Sequence, residues 1–173
     1  QLETPLATVA KAMALAKLHG VKVVLNPAPA QPLPGSMLAH VDYLIPNEHE
    51  LALITGMQII SLASDSLHSL GTGAVIVTLG SSGVYISQPN HRTSLPAHVV
   101  PVVDTVAAGD AFVGTFAVAL SEGKDLIEAA EWGNAPAALA DTREGAQPSL
   151  ANRADNEAFL AGRRTKPTKR GTC

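Results

Sequence analysis

The sequence predicts an α/β domain, a mostly parallel sheet with helices on both faces, from three observations. Strand-like segments alternate with helical ones along the chain. The run Ala74-Val75-Ile76-Val77-Thr78 is continuously apolar, as a parallel strand buried on both sides should be. With 173 residues, 46% of them hydrophobic, the chain can form one such domain with a substantial core but not two ordinary ones.

Each element has its own signal. Thr4 is placed to cap a first helix and Pro5 suits its first turn; Leu6, Val9, Ala10, Met13 and Ala16 trace one side before Gly20 ends it. Residues 21–25 are a short β-branched strand, and Asn26-Pro27-Ala28-Pro29-Ala30 forbids further pairing, marking a loop at its carboxyl end. Asp42-Tyr43-Leu44-Ile45 is a second strand, stopped by Pro46. A helix starts at Asn47, with Glu50 in capping-box spacing and Gly56 as its stop. Residues 61–70 suggest a short helix. Gly80-Ser81-Ser82-Gly83 then turns the strand at 74–78 into a hairpin with residues 84–87, and residues 88–103, rich in Pro and His, read as irregular. Further helices are expected at 108–121, about 125–140 and near 152–161. Pro136 should remove a backbone bond from the second of these and kink it.

Composition excludes several function classes. Cys173 is the only cysteine, so there is no disulfide framework and no thiolate set for a structural metal. No apolar run reaches the eighteen or so residues of a membrane span, and Gln1-Leu2-Glu3-Thr4-Pro5 lacks the features of a signal peptide; the expectation is a soluble, cytoplasmic protein with no membrane partner. To Gly162 the chain carries seven basic against fifteen acidic side chains, a net −8, which argues against nucleic acid as partner. Residues 1–161 form the expected domain. Residues 162–173, with five basic residues and no acid, read as a disordered, solvated tail, a specific anion-binding arm being the alternative. The six histidines show no H-E-x-x-H spacing, and neither G-x-S-x-G nor G-x-x-x-x-G-K-S/T is present; zinc hydrolysis, serine hydrolysis and P-loop chemistry lack support.

The segment Asp104-Thr105-Val106-Ala107-Ala108-Gly109-Asp110-Ala111-Phe112-Val113-Gly114 leads small residues directly into a helix. Unpaired amides at such a helix start can approach an anion closely, and the helix dipole favours negative charge there. A carboxylate in the same turn, Asp110, would repel phosphate unless it accepted a proton from an attacking hydroxyl. A helix start with acidic capping residues satisfies the same spacing, so both readings stand at this point.

This segment resembles the C-terminal signature of the ribokinase and phosphofructokinase-B family of carbohydrate kinases, D-T-x-G/A-A-G-D-x-F-x-G, at every fixed position. Asn47-Glu48-His49-Glu50 is similar to the family's N-x-x-E element, and Thr78-Leu79-Gly80-Ser81-Ser82-Gly83 to its T-L-G-x-x-G nucleotide turn. Gly145-Ala146-Gln147-Pro148-Ser149, the Gln1-Leu2-Glu3 opening and Asn26-Pro27-Ala28-Pro29-Ala30 resemble its ribose-phosphorylating members. The resemblance runs in order from residue 1 to about 161.

It implies ATP-dependent phosphorylation of D-ribose at the 5-hydroxyl, with Mg²⁺ and K⁺ as cofactors and a homodimer as the complete enzyme. Asp110 would be the general base and would also meet the sugar, and the amides of Ala107, Ala108 and Gly109 would form the anion hole. Thr78, Leu79, Gly80, Ser81, Ser82 and Gly83 would line the nucleotide with Asn47, Gly109 and Asp110, while Asn134 would lie beside the adenine. Glu50, with Asn47, would help place Mg²⁺ through water; a plain capping box is the other reading of that pair. Asp104, the carbonyls of Val106, Ala140, Arg143 and Gly145, and Ser149 would enclose K⁺, although Asp104 could equally cap a turn. Glu3 would touch the sugar, or be an ordinary exposed glutamate. The resemblance also implies N-terminal strands, sugar-contacting residues and a β-lid that this chain does not carry, and a longer segment between Gly56 and Ala74. Two alternatives therefore stand beside ribose phosphorylation: a kinase of another small sugar or nucleoside, and a non-catalytic nucleotide-binding module.

Overall fold

The computed structural model describes residues 1–142 and 144–164. The chain divides into two compact units, one spanning residues 1–97 and the other beginning at His98.

In the first unit, helix α1 (Leu6–Leu18) leads to strand β1 (Val24–Leu25), a single helical turn α2 (Gly35–Leu38), β2 (Tyr43–Leu44), helices α3 (Glu48–Thr55) and α4 (Ile60–Ser69), and strands β3 (Ala74–Thr78), β4 (Val84–Gln88) and β5 (His91–Leu95). The strands form one sheet in chain order. β1, β2 and β3 are parallel, with Leu44 facing Leu25 on one side and Val75 on the other; β4 and β5 continue antiparallel. Leu25, Leu44, Val75 and Val77 share one buried core with Met13 of α1, Leu38 of α2, Leu51 of α3 and Leu67 of α4. The α/β class and the parallel pairing thus follow the sequence expectation.

The differences have local causes. Thr4 does not cap α1: Pro5 is the N-cap residue, and its carbonyl accepts the amides of Thr8 and Val9. The strand expected at 21–25 is only two residues long. The Val21 amide is taken by the carbonyl of Ala16 and the Val23 amide by the carboxylate of Asp42, so neither joins the ladder. Strand β5 lies inside the segment read as irregular. It pairs only with β4, and the polar residues His91, Arg92, Thr93 and Ser94 give it no apolar run to detect.

In the second unit, α5 (Ala108–Ser121) packs along α6 (Leu126–Asp141), and α7 (Arg153–Arg164) packs on α6. Gly133 makes the closest approach. A β-carbon there would stand 3.0 Å from both the ring and the carbonyl of Phe112, whose ring stacks on Phe116 at 6.1 Å. α6 is a single helix through Pro136. A proline at 136 leaves the carbonyl of Trp132 without its usual amide. The side-chain amide of Asn156, from α7, donates to that carbonyl at 3.4 Å. α7 extends beyond the expected end at 161; the tail after Arg164 lies outside the described residues.

Candidate functional site

Because β1, β2 and β3 are parallel, their carboxyl ends share one edge of the first unit, the edge at which α/β sheets form ligand crevices. Three connections leave it: residues 26–30, Ile45-Pro46-Asn47, and residues 78–83. Asn47 and Glu50 form a complete capping box at the start of α3. Asn47 Oδ1 accepts the Glu50 amide at 2.8 Å, and Glu50 Oε2 accepts the Asn47 amide at 2.8 Å. Asn47 also bridges to Thr78, whose amide donates to the Pro46 carbonyl at 3.0 Å. The structure therefore brings Asn47, Glu50 and Thr78 together. Glu3 is exposed beside the loop leaving β1, because the buried Leu2 donates its amide to the Ala28 carbonyl at 2.7 Å.

The turn after β3 separates two kinds of glycine. Gly80 sits at φ +52° with open space above it, and Gly80, Ser81 and Ser82 are exposed in a 3-10 turn, while Leu79 leans on the core. Gly83, at φ +98°, is buried; a β-carbon there would run into the carbonyl of Leu95 and stand 2.6 Å from the amide nitrogen of Ala97. Gly83 is thus required by the packing of its own unit, and Gly80 by the turn alone.

In the second unit, α5 starts at Ala107 with no side-chain cap. Ala107 is buried among Ala111 and Ala140, and the Ala108 amide reaches the Thr105 carbonyl at 3.3 Å. Gly109 and Asp110 are exposed, and a β-carbon on Gly109 would meet nothing within 4 Å. No packing contact explains that glycine. Of the three amides expected to make an anion hole, Gly109's belongs to the exposed residue. Asn134 is a buried residue of α6.

Asp104 gathers the loop around it. Its Oδ1 accepts the Val106 amide at 3.1 Å and its Oδ2 the Gly145 amide at 3.1 Å. Those two hydrogen bonds, Val106's the larger, hold its carboxyl below the usual carboxylate range. The amides of Val103 and Asp104 both reach the Asp141 carbonyl, next to Ala140. Ser149 is buried and its hydroxyl donates to the Ala146 carbonyl at 2.7 Å. Arg143 lies outside the described residues. Asp104 supplies a carboxylate to the expected set, and the backbone carbonyls of Val106, Ala140 and Gly145 would supply the rest. That set fits a large, weakly hydrated monovalent cation. Among the described residues, no three His, Cys, Asp or Glu side chains gather as a metal cluster. Glu50, with one oxygen held by its capping box, fits a cation that keeps its own waters.

Two residues carry weight that sequence reasoning missed. Asp141 is pushed up from the ordinary carboxylate range by burial and then by the charge of Asp104, and its Oδ1 is buried without a hydrogen-bond partner. Asn26 ties two loops together at the strand ends: its Nδ2 donates to the Ile45 carbonyl at 2.9 Å, and its Oδ1 accepts Gln1 Nε2 at 3.4 Å. Only the Asn-Pro order at 26–27 hinted at the second.

Comparison with known proteins supplies the family. Residues 1–153 match the pfkB family of carbohydrate kinases. The ribokinase of Haemophilus influenzae is 42% identical over 165 residues, 92% of this chain and 54% of that protein. The structure of Arabidopsis thaliana ribokinase complexed with ribose and ATP superposes with a TM-score of 0.88 at 34% identity, over 92% of this chain and 54% of that one. A fructokinase from Vibrio cholerae, solved with fructose, ADP and potassium ion, gives a TM-score of 0.78 at 29% identity over 89% of this chain and 55% of that one. The chain spans about half the length of the relatives it matches. A matched region of that extent, with the capping box, the glycine turn and the open helix start in family order, means that this chain belongs to the pfkB family of carbohydrate kinases.

Proposed function

We propose that this chain is the ATP-binding and catalytic part of an enzyme that transfers the γ-phosphoryl group of ATP to the 5-hydroxyl of D-ribose. The observation that carries this reading is the start of α5, where exposed Asp110 follows a glycine that no packing contact requires, in a helix without a side-chain cap. Backbone amides there, with that of Gly109 the most open, hold the transferring oxygens, assisted by the helix dipole. Asp110 accepts the proton of the sugar hydroxyl; that oxygen bonds to the γ-phosphorus as the bond to the β–γ bridging oxygen breaks, and ADP leaves. Gly80, Ser81 and Ser82 offer backbone and hydroxyl groups to the nucleotide, together with Thr78, Leu79 and Gly83. Asn134 sits beside the adenine and Glu3 meets the sugar. Asp104 with the carbonyls of Val106, Ala140, Arg143 and Gly145, and Ser149, holds K⁺ and so fixes the loop that enters α5. Glu50 and Asn47 orient Mg²⁺ through water; bound there, that ion neutralises charge between the phosphates. The complete enzyme is cytoplasmic and homodimeric in this reading; no helix among the described residues is long and apolar enough to cross a membrane.

Ribose is favoured by the relatives, while the fructokinase likeness keeps other small sugars in view. The test is ADP formation by the complete gene product carrying this segment, offered ribose, fructose, adenosine and tagatose-6-phosphate. Turnover highest on ribose supports the assignment; good turnover of another with none on ribose overturns it. A second reading, a nucleotide-binding module without activity of its own, is favoured by the half-length span. It predicts ATP binding by this chain with no sugar-dependent ADP, and sugar-dependent turnover by the pure chain overturns it.

A further inference from the structure

The connection from β2 to α3, Ile45-Pro46-Asn47, carries the capping box proposed to orient Mg²⁺, and its backbone groups are held from both sides. The Ile45 amide donates to the Leu25 carbonyl at 2.8 Å, continuing the parallel ladder one step past β1. The Pro46 carbonyl accepts the Thr78 amide at 3.0 Å on the other side. In that ladder the next donor, for the Ile45 carbonyl, would be the amide of residue 27. Residue 27 is proline and has no N–H. The side chain of Asn26 fills the gap, donating Nδ2 to the Ile45 carbonyl at 2.9 Å. Its other atom, Oδ1, accepts from Gln1 Nε2, two residues before Glu3.

We propose that Asn26 is a positioning residue: its amide replaces the N–H that Pro27 lacks, fixing the connection that bears Asn47 and Glu50 and linking it to the opening segment that bears Glu3. The arrangement lets the chain leave the sheet at Pro27, turning toward the proposed sugar side, without orphaning the Ile45 carbonyl. A lost carbonyl partner here shifts the start of α3 first, because Asn26 is half-buried and its donation goes to the connection that leads into that helix. The inference rests on the proposed ATP and Mg²⁺ site.

The experiment is calorimetric titration of this chain with ATP, with and without Mg²⁺, alongside thermal unfolding. Asn26→Asp keeps the shape but cannot donate. We expect its affinity for Mg²⁺-ATP to fall by about tenfold to a hundredfold, the range for losing a partner that orients a metal-site residue, while affinity for metal-free ATP stays close to that of the unaltered chain. Adding Pro27→Ala restores a backbone N–H at the ladder position, so the double variant should recover the Mg²⁺ dependence. If Asn26→Asp folds poorly, Asn26→Ala, which removes the donor without adding a charge, carries the same comparison. An Asn26 variant that keeps the unaltered ratio of the two affinities, or a double variant with no recovery, overturns the inference alone. No ATP binding by the unaltered chain overturns the proposed function and this inference with it.

Discussion

Helices α3 and α5 begin in opposite ways. α3 closes its own N-terminus: Asn47 and Glu50 exchange two hydrogen bonds of 2.8 Å, and its start is stitched to β3 through Pro46 and Thr78. α6 does the same through Asp125 and Glu128. α5 has no side-chain cap and begins with Ala108, Gly109 and Asp110. A helix that caps itself is stable without a ligand, whereas one without a side-chain cap forgoes about 1 kcal/mol of capping. The open start coincides with the family signature, and that coincidence makes α5 the proposed phosphate seat while α3 is, first, a piece of structure.

The most disruptive way to test this contrast is Asp110→Asn in the complete gene product. The substitution preserves the helix start and removes the proton acceptor, so kcat should fall by about 10²- to 10⁴-fold with little change in ATP affinity. Steady-state kinetics that retain more than about a tenth of the rate would reduce Asp110 to an ordinary first-turn acid. Next in size is Gly83→Ala. Its positive φ and the collision with the Leu95 carbonyl predict a loss of roughly 3 kcal/mol, read by urea denaturation of the isolated chain. A loss that small residues elsewhere would also give, under about 0.5 kcal/mol, would return Gly83 to a purely nucleotide-facing role. Asn47→Ala should cost about 1 kcal/mol in the same measurement, the usual value of a lost N-cap.

Much of this was legible in the sequence because it depends on neighbours a few residues apart. The capping box at Asn47 and Glu50, the left-handed stop at Gly56 and the apolar run of β3 all formed as their spacing required. What was hidden depends on residues far apart. Strand β5 is defined by its partner β4, not by its own polar composition. The Asn26 clasp spans nineteen residues, and the donation from Asn156 to the Trp132 carbonyl spans twenty-four. Both asparagines serve a carbonyl that a proline leaves without its amide, Pro27 in one case and Pro136 in the other. A proline announces a missing bond in the sequence, but not the side chain that replaces it. The unpartnered Oδ1 of Asp141 was invisible for the same reason, since its burial and its neighbour Asp104 are tertiary facts.

The smallest effect is pH-dependent and separates the two carboxylates of that loop. Asp104, held low by its amides, contributes stability that is present above the ordinary carboxylate pKa and is lost as pH falls through its depressed folded value. Asp141, raised, contributes in the other sense: its share is present below the ordinary value and is lost as pH rises through the folded one. Asp141→Asn should therefore raise Tm at pH 7 and leave it nearly unchanged near pH 4, in melting curves collected across that interval. An equal shift at both ends would show that the side chain acts through packing rather than charge.

The central claim, that the start of α5 holds phosphate, meets its most direct test in Gly109→Ala. A β-carbon there touches no protein atom within 4 Å, and alanine is the better helix former, so thermal stability should be unchanged or rise by up to about 1 kcal/mol. A methyl group standing where phosphate oxygens approach should weaken ATP binding by roughly tenfold or more, the loss of about 1.4 kcal/mol, in calorimetric titration of this chain. If Gly109→Ala is as stable as the parent and binds ATP equally well, the open start of α5 is not the phosphate seat.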